Sequence, residues 1–105
     1  MILVTGGGGF IGSNLVEYLL ERNKNVTIME RHEPEKIGNG KYDFVKVDIR
    51  DGDAVRKSVE KCDGIIHLAG ILGTHETMDH PVKTLEVNTL GALNMFKTVK
   101  DLGKR

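Results

Sequence analysis

Four consecutive glycines, Gly6 to Gly9, and a fifth at Gly12 are the residues of this chain best placed to do chemistry. They follow the apolar run Ile2–Thr5 directly and precede an apolar stretch with helical spacing. Strand, glycine turn and helix in that order allow backbone N–H groups to hold a pyrophosphate at a helix N-terminus. The pattern therefore predicts a site for a dinucleotide.

The glycines fit two overlapping spacings, Gly7-x-Gly9-x-x-Gly12 and Gly6-x-x-Gly9-x-x-Gly12. The first glycine of such a motif permits a tight turn, and the middle one leaves room for the pyrophosphate. The last glycine lets the helix pack closely against the strands. The alternative is a flexible glycine turn without a ligand. The position between strand and helix favours nucleotide binding.

Glu30 is the second candidate binding residue, because it ends the next apolar run 18 positions after Gly12. A carboxylate near this distance accepts hydrogen bonds from the adenosine ribose hydroxyls and would repel the 2′-phosphate of NADP. Arg31 complicates this interpretation, since a guanidinium could pair with that phosphate. The alternative for Arg31 is a solvated loop charge. We therefore expect NAD as the cofactor in preference to NADP.

Apolar runs alternate with helical patterns along the chain, which predicts an α/β fold. The parallel sheet should be doubly wound, with right-handed crossovers and helices on both faces. An all-β fold would need hairpin signals, and a helical bundle would not explain the runs at Val26 and Ile65. The predicted strands are 2–5, 26–29, 44–47 and 64–68, and the predicted helices are 10–22, 53–61 and 82–102, the last ended by Gly103. The helical spacing predicts Ile11, Leu15, Tyr18, Leu19, Leu85, Val87, Leu90, Leu93, Phe96 and Val99 as core residues.

Bulk properties exclude several classes of function. Lys and Arg balance Asp and Glu at 15 each, so no net field attracts nucleic acid or an anionic membrane. No apolar run approaches the roughly 20 residues of a membrane span, and the N-terminus lacks a signal-peptide layout. The single Cys62 fits a reducing compartment. The four histidines share no metal-ligand spacing, so we expect no metal site. The missing signal-peptide layout and the single cysteine together predict a cytoplasmic protein.

The chain resembles the extended short-chain dehydrogenases/reductases, the group of sugar-nucleotide epimerases and dehydratases, over its whole length. Four segments carry the resemblance: the glycine motif 4–13, Val47-Asp48-Ile49-Arg50-Asp51, the fourth strand with its end at 62–70, and Asn88-Thr89-Leu90-Gly91-Ala92. Two positions depart from the family pattern. Ala92 stands where threonine is usual, and Glu30 stands where aspartate is commoner.

The resemblance implies a Rossmann-like sheet in strand order 3-2-1-4 and assigns roles to further residues. Asp48 and Ile49 would meet the adenine ring, the strand end Leu68-Ala69-Gly70 would lie along the cofactor, and Asn88 would shape the floor of the active site. From the residues alone, Asp48 could instead cap a turn and Asn88 could bond a neighbouring backbone group. The full set of expected cofactor-binding residues is Gly6, Gly9, Phe10, Ile11, Gly12, Glu30, Arg31, Asp48, Ile49, Leu68, Ala69, Gly70 and Asn88.

The catalytic residues of the resembled family are not found in these 105 residues. The family uses a helical Tyr-x-x-x-Lys pair, in which the tyrosine is the general acid/base. Tyr42 and Lys46 match the letters, but Lys46 falls on the predicted strand 44–47 and Tyr42 just before it, and about 13 Å would separate the two along an extended backbone. We therefore expect no catalytic residues here and a single NAD(P)-binding domain, 1–105, incomplete at its C-terminus relative to the family and inactive alone. A nucleotide-sugar substrate would need the missing part.

A further expectation concerns association, and two alternatives concern function. The fourth strand would form an exposed sheet edge, which predicts a homodimer or another edge-mediated association. The alternative function is a non-enzymatic module that senses or binds NAD(P), and a third possibility is a remnant without a ligand.

Overall fold

The computed structural model describes all 105 residues and contains one parallel sheet. Its strands lie in the order β3-β2-β1-β4, which confirms the predicted order 3-2-1-4. They are β1 (Ile2–Thr5), β2 (Val26–Glu30), β3 (Asp43–Lys46) and β4 (Gly64–His67). Because the strands are parallel, their carboxyl ends meet at one edge of the sheet, where ligands bind in open α/β folds. Thr5 lies there between its register partners Met29 and His67.

Helices cover both faces of the sheet. They are α1 (Phe10–Glu21), α2 (Gly52–Glu60), the short α3 (Thr74–Asp79), and a continuous run formed by α4 (Pro81–Leu85), a π-helical turn (Glu86–Leu90) and α5 (Gly91–Leu102). The Asp51 side chain caps α2 by accepting the Ala54 N–H at 3.1 Å. Gly103 ends α5 in the left-handed region with φ 63°, as the sequence predicts.

Two hydrophobic clusters hold the layers together, one on each face of the sheet. Successive residues of β1 point to opposite faces, so Leu3 belongs to one cluster and Val4 to the other. Leu3 packs with Val55, Val59 and Met95 from α2 and α5. Val4 packs with Val16 from α1 and with Val26, Ile28 and Ile37. Both faces of the central strand are therefore buried, as a parallel sheet requires.

The predicted inward face of α1 is partly wrong: Leu15 and Leu19 pack against the core as expected, whereas the other two residues do not. Ile11 is 66% exposed and Tyr18 is 51% exposed, whereas Gly12 and Val16 are the buried residues of this helix. The helix turns its glycine inward because its first turn packs directly on the backbone of the glycine turn. This rotation moves Ile11 out of the core.

One difference from the prediction is that α3 forms where a loop was expected. The predicted core of the last helix is also partly wrong. Leu85, Leu90, Leu93 and Phe96 are exposed, whereas Val87 is buried as expected. The π-helical turn Glu86–Leu90 adds a residue to one turn, so the inward positions after it are Gly91, Met95 and Thr98. The leucines and Phe96 consequently form an outward apolar stripe.

The fourth strand occupies the predicted sheet edge, and part of that edge is covered. All residues of β4 are half-buried, and the Ile65 N–H donates to the Arg105 carbonyl at 2.8 Å. At the start of the strand, the N-terminal ammonium group pairs with Asp63 at 2.8 Å. The helices of the structure are each too short or too polar to cross a bilayer.

Candidate functional site

A cleft with a volume of about 840 Å³ opens at the carboxyl edge of the sheet, in the size range of small-molecule and cofactor pockets. The glycine turn, the ends of β2 and β4, and the π-helical turn surround it. Twelve of the thirteen residues expected at a cofactor line this one cavity. They are Gly6, Gly9, Phe10, Ile11, Gly12, Glu30, Arg31, Ile49, Leu68, Ala69, Gly70 and Asn88. Asp48 is not among the lining residues.

The glycine turn is built by close backbone contacts at both of its ends. Gly6 has φ 71°, and a Cβ atom there would lie 2.8 Å from the Ala69 nitrogen. A Cβ atom at Gly12 would overlap the Gly6 carbonyl oxygen. Glycine at these two positions is therefore required by the fold, because β1, α1 and the end of β4 meet there.

Gly9 differs, because nothing in the fold requires glycine at this position. Its backbone is extended, with φ −74° and ψ 179°, which any residue adopts. A Cβ atom would meet only the Gly6 carbonyl oxygen, at an ordinary 3.4 Å. Gly9 precedes the first turn of α1, where the N–H groups of Phe10, Ile11 and Gly12 find no acceptor in the chain. These donors face the position where an anion binds to a helix N-terminus.

The Glu30 carboxylate lies beside the glycine turn at the end of β2. It accepts the Gly8 N–H at 3.1 Å and the Arg31 N–H at 3.3 Å. These contacts hold an acceptor group at the rim of the cleft, where ribose hydroxyls could donate to it. The Arg31 side chain points across the rim, with its Nε 4.0 Å from Asp48.

Thr5 and His67 form a hydrogen-bonded pair on the floor of the cleft that the sequence analysis missed. Thr5 Oγ1 accepts the N–H groups of Leu68 and Ala69, each at 3.1 Å, and lies 2.7 Å from His67 Nδ1. Because two N–H groups donate to the hydroxyl, its own proton must go to Nδ1, which places the imidazole proton on Nε2. Burial lowers the pKa of His67, which favours the same neutral form.

Asn88 fixes the loop that follows β4. Its Oδ1 accepts the Ile71 N–H at 2.7 Å, and its Nδ2 donates to the Ile71 carbonyl at 2.8 Å. The side chain thus bonds a neighbouring backbone, which is one of the two roles left open by the sequence, and it also lines the cleft; its role at the floor of an active site stays a prediction. The π-helical turn aims this amide at Ile71.

Asp48 is bound by Arg50 rather than turned into the cleft. Arg50 donates to it from Nη2 at 2.7 Å and from Nε at 3.0 Å, and its backbone N–H donates at 3.0 Å. These hydrogen bonds lower the pKa of Asp48 to about 2, against the opposing effect of burial. Arg50 also reaches Glu86 at 3.1 Å. The expected adenine contact of Asp48 stays a prediction.

The remaining lining residues were not predicted. They are Thr5, Met29, His32, Val47, His67, Ile71, Leu72 and Val87. Most of them end a strand or flank a predicted residue, so their position at the carboxyl edge was the available signal. Tyr42 and Lys46 lie before and at the end of strand β3, as expected, and neither lines the cleft.

Comparison with known proteins agrees with this geometry. The model of the NAD dependent epimerase/dehydratase family matches residues 2–105. A putative UDP-glucose 4-epimerase of Methanocaldococcus jannaschii is 36% identical over 103 residues, covering 95% of this chain and 34% of that protein. A UDP-N-acetyl-alpha-D-glucosaminuronate decarboxylase of Bacillus cytotoxicus is 34% identical, covering 90% of this chain and 31% of that protein. The chain therefore belongs to the NAD dependent epimerase/dehydratase family.

A solved structure shows the same fold with a ligand. The UDP-glucose 4-epimerase of Thermus thermophilus, crystallised in complex with NAD, superposes with a TM-score of 0.83 at 32% identity. The match covers 97% of this chain and 34% of that one. The chain thus spans about a third of the length of the relatives that it matches.

Proposed function

We propose that residues 1–105 form one dinucleotide-binding domain that holds NAD in the cleft and serves a nucleotide-sugar epimerase or dehydratase. The observation that carries this proposal is Gly9. The fold tolerates a side chain there, so a glycine is explained by a ligand that approaches the backbone closely. The three unpaired N–H groups at the start of α1 supply donors for its pyrophosphate.

The other parts of the cleft fit the rest of the dinucleotide. Glu30 would accept the adenosine ribose hydroxyls while its contact with the Gly8 N–H keeps it at the rim. The nicotinamide would lie between the end of β4 and Asn88, on a surface fixed by Thr5 and by the Asn88–Ile71 hydrogen bonds. Bound NAD would supply a hydride acceptor for the sugar.

The charges at the rim favour NAD over NADP. A carboxylate at Glu30 would repel a ribose 2′-phosphate. The guanidinium of Arg31, the candidate partner for that phosphate, lies 4.0 Å from the Asp48 carboxylate, which would compete with a phosphate for it. We therefore expect NADH to bind more tightly than NADPH.

The acid/base step of an epimerase or dehydratase is not assigned to these residues. Tyr42 precedes β3 and Lys46 ends it, so the pair does not share a helix turn. We expect binding without turnover by the 105 residues alone, with the nucleotide sugar requiring further chain. The same proposal includes association through the edge of β4. It also includes a cytoplasmic location, because a buried free thiol such as that of Cys62 fits a reducing compartment.

Gly9→Asp tests the proposal in the purified chain. The added carboxylate would lie beside the pyrophosphate, and two unit charges 4 Å apart repel by about 4 kcal/mol at an effective dielectric of 20. We expect NADH affinity to fall by at least about a hundredfold. NADH at 100 times its Kd for the unaltered chain should raise that chain's free energy of unfolding by about 2.7 kcal/mol. The same NADH concentration should raise the free energy of unfolding of the variant by much less. Nicotinamide fluorescence and thermal unfolding measure the two effects.

Gly52→Asp is the matched control, because Gly52 also lies at a helix N-terminus but outside the cleft. It should bind NADH as the unaltered chain does. Equal binding by the unaltered chain and the Gly9→Asp variant would contradict the proposed position of the pyrophosphate. A folded chain that binds no dinucleotide would contradict the proposed function.

A further inference from the structure

Asn39 is the only asparagine of the chain that precedes a glycine. Asn39 and Gly40 are both exposed and lie in the loop between β2 and β3. The Gly40 N–H donates no hydrogen bond within the chain. Because glycine carries no Cβ atom, nothing shields its backbone nitrogen from the side-chain carbonyl carbon of the preceding asparagine. These two groups are therefore free to react with each other.

The other asparagines differ from Asn39 in the backbone that follows them. Asn23 is exposed as well, but the Leu19 carbonyl holds the N–H of Lys24 at 3.0 Å. That hydrogen bond must break before the nitrogen can attack. Asn23 is therefore an internal reference for the reactivity of Asn39. The remaining asparagines lie in helical turns or directly before β2, and they are Asn14, Asn25, Asn88 and Asn94.

The loop packs closely on α1 through two glycines. A Cβ atom at Gly40 would lie 2.8 Å from the Leu20 Cβ atom. A Cβ atom at Gly38 would lie 3.4 Å from the Glu17 Cγ atom. Ile37, the residue before this pair of contacts, is buried in the hydrophobic cluster on the α1 face of the sheet. The length of backbone between the two glycines is therefore matched to the surface of α1.

We propose that Asn39 is a site of spontaneous deamidation and that isoaspartate formed there lifts the loop from α1. The Gly40 nitrogen attacks Asn39 Cγ, so a new C–N bond forms and the Cγ–Nδ2 bond breaks. The Gly40 amide proton leaves with Nδ2 as ammonia. Water then opens the cyclic imide at either carbonyl, which leaves aspartate or isoaspartate at position 39. This inference goes beyond the proposed function, because the reaction needs water and no cofactor.

Isoaspartate carries the main chain through the former side-chain carbonyl and lengthens it by one carbon atom. Gly38 and Gly40 then cannot both keep their contacts with α1, and Ile37 loses part of its burial. We expect the Tm of the isoaspartate form to fall by about 8 °C. Asn39→Asp adds the charge without the extra atom. As an exposed substitution, it should stay within about 4 °C of the unaltered chain.

Incubation of the folded, purified chain in mildly alkaline buffer, followed by peptide mapping with mass spectrometry, tests the site. We expect most of the Asn39 peptide to gain the mass difference between an amide and an acid, while the Asn23 peptide stays intact. An isoaspartate methyltransferase should label the same Asn39 peptide. Asn39→Gln should stay unmodified and keep its Tm, because its cyclisation needs a larger ring. Asn23→Gln is the matched control and should convert at position 39 as the unaltered chain does.

The possible outcomes separate the site from its effect on the loop. Conversion of Asn39 no faster than that of Asn23 would overturn the proposed site. An isoaspartate form with an unchanged Tm would overturn the proposed effect on the loop. So would an Asn39→Asp variant that loses as much Tm as the isoaspartate form, since charge would then explain the loss. None of these results depends on NADH, so a failure of the proposed function is distinguishable from a failure of this inference.

Discussion

Replacing Thr5 by valine exchanges a buried hydroxyl for a methyl group of similar size. Two neighbours lose their partner: the Ala69 N–H, which donates to Thr5 Oγ1 at 3.1 Å, and His67 Nδ1, which lies 2.7 Å from it. The Leu68 N–H keeps the Thr5 carbonyl oxygen, also at 3.1 Å. A buried polar group left without a partner costs about 1–3 kcal/mol. At about 1 kcal/mol for each of two half-buried groups, the variant should lose about 2 kcal/mol.

Thermal unfolding followed by circular dichroism measures this loss. For a domain of this size, 1 kcal/mol corresponds to roughly 4–8 °C in Tm, so Thr5→Val should lower Tm by about 8–16 °C. A domain stability of about 5–15 kcal/mol leaves the variant folded at 25 °C. Thr5→Ser keeps the hydroxyl and should retain most of the stability.

Thr27→Val is the matched control, because Thr27 is also a buried strand threonine. Its hydroxyl donates to the Met1 sulfur at 3.0 Å and its other side-chain partner is the Cys62 thiol, and sulfur is a weak hydrogen-bond partner. We expect a loss below about 1 kcal/mol. If Thr5→Val and Thr27→Val unfold at the same temperature, the hydroxyl of Thr5 does not support the end of β4 and the reasoning is refuted.

Three further predictions concern pH, packing and association. Burial lowers the pKa of His67 from 6.5, so below pH 6.5 the unfolded chain binds a proton that the folded chain resists. The free energy of unfolding should therefore fall as the pH drops from 7.5 to 5.5, and it should fall by less in His67→Asn. Denaturant titrations measure both changes. Gly12→Ala should prevent folding, or lower the free energy of unfolding by more than about 3 kcal/mol, because the new Cβ atom would overlap the Gly6 carbonyl oxygen. Gly9→Ala should fold normally, as circular dichroism would show. Sedimentation velocity should detect association through β4, and a monodisperse monomer at high concentration would contradict it.

The sheet was predictable because its signals are local. Each buried strand is a short apolar run, and the glycine turn after β1 identifies the carboxyl edge where the site forms. Residues next to strand ends, such as Glu30 and Leu68, consequently line the cleft. Thr5 and His67 could have been found by the same logic, since a hydroxyl and an imidazole end two strands that were expected to be neighbours.

The failed expectations depend on geometry that spacing does not contain. An i, i+4 pattern does not show that Gly12 must face inward against the glycine turn, and this contact exposes Ile11. The π-helical turn rotates the last helix by an amount that an ideal period of 3.6 residues does not include, which exposes Phe96. The hydrogen bonds between Asp48 and Arg50 were likewise not predictable, because side-chain direction decides them; the adenine contact of Asp48 stays a prediction.

Equilibrium titration of the folded, purified chain with NADH and NADPH, followed by nicotinamide fluorescence, is the most direct test of the account. We predict saturable binding with NADH tighter than NADPH, and a smaller difference between the two in Glu30→Gln, which removes the charge at the ribose position. Tighter binding of NADPH would contradict the role given to Glu30. The absence of binding to a chain that circular dichroism shows to be folded would contradict the central claim that this cleft holds NAD.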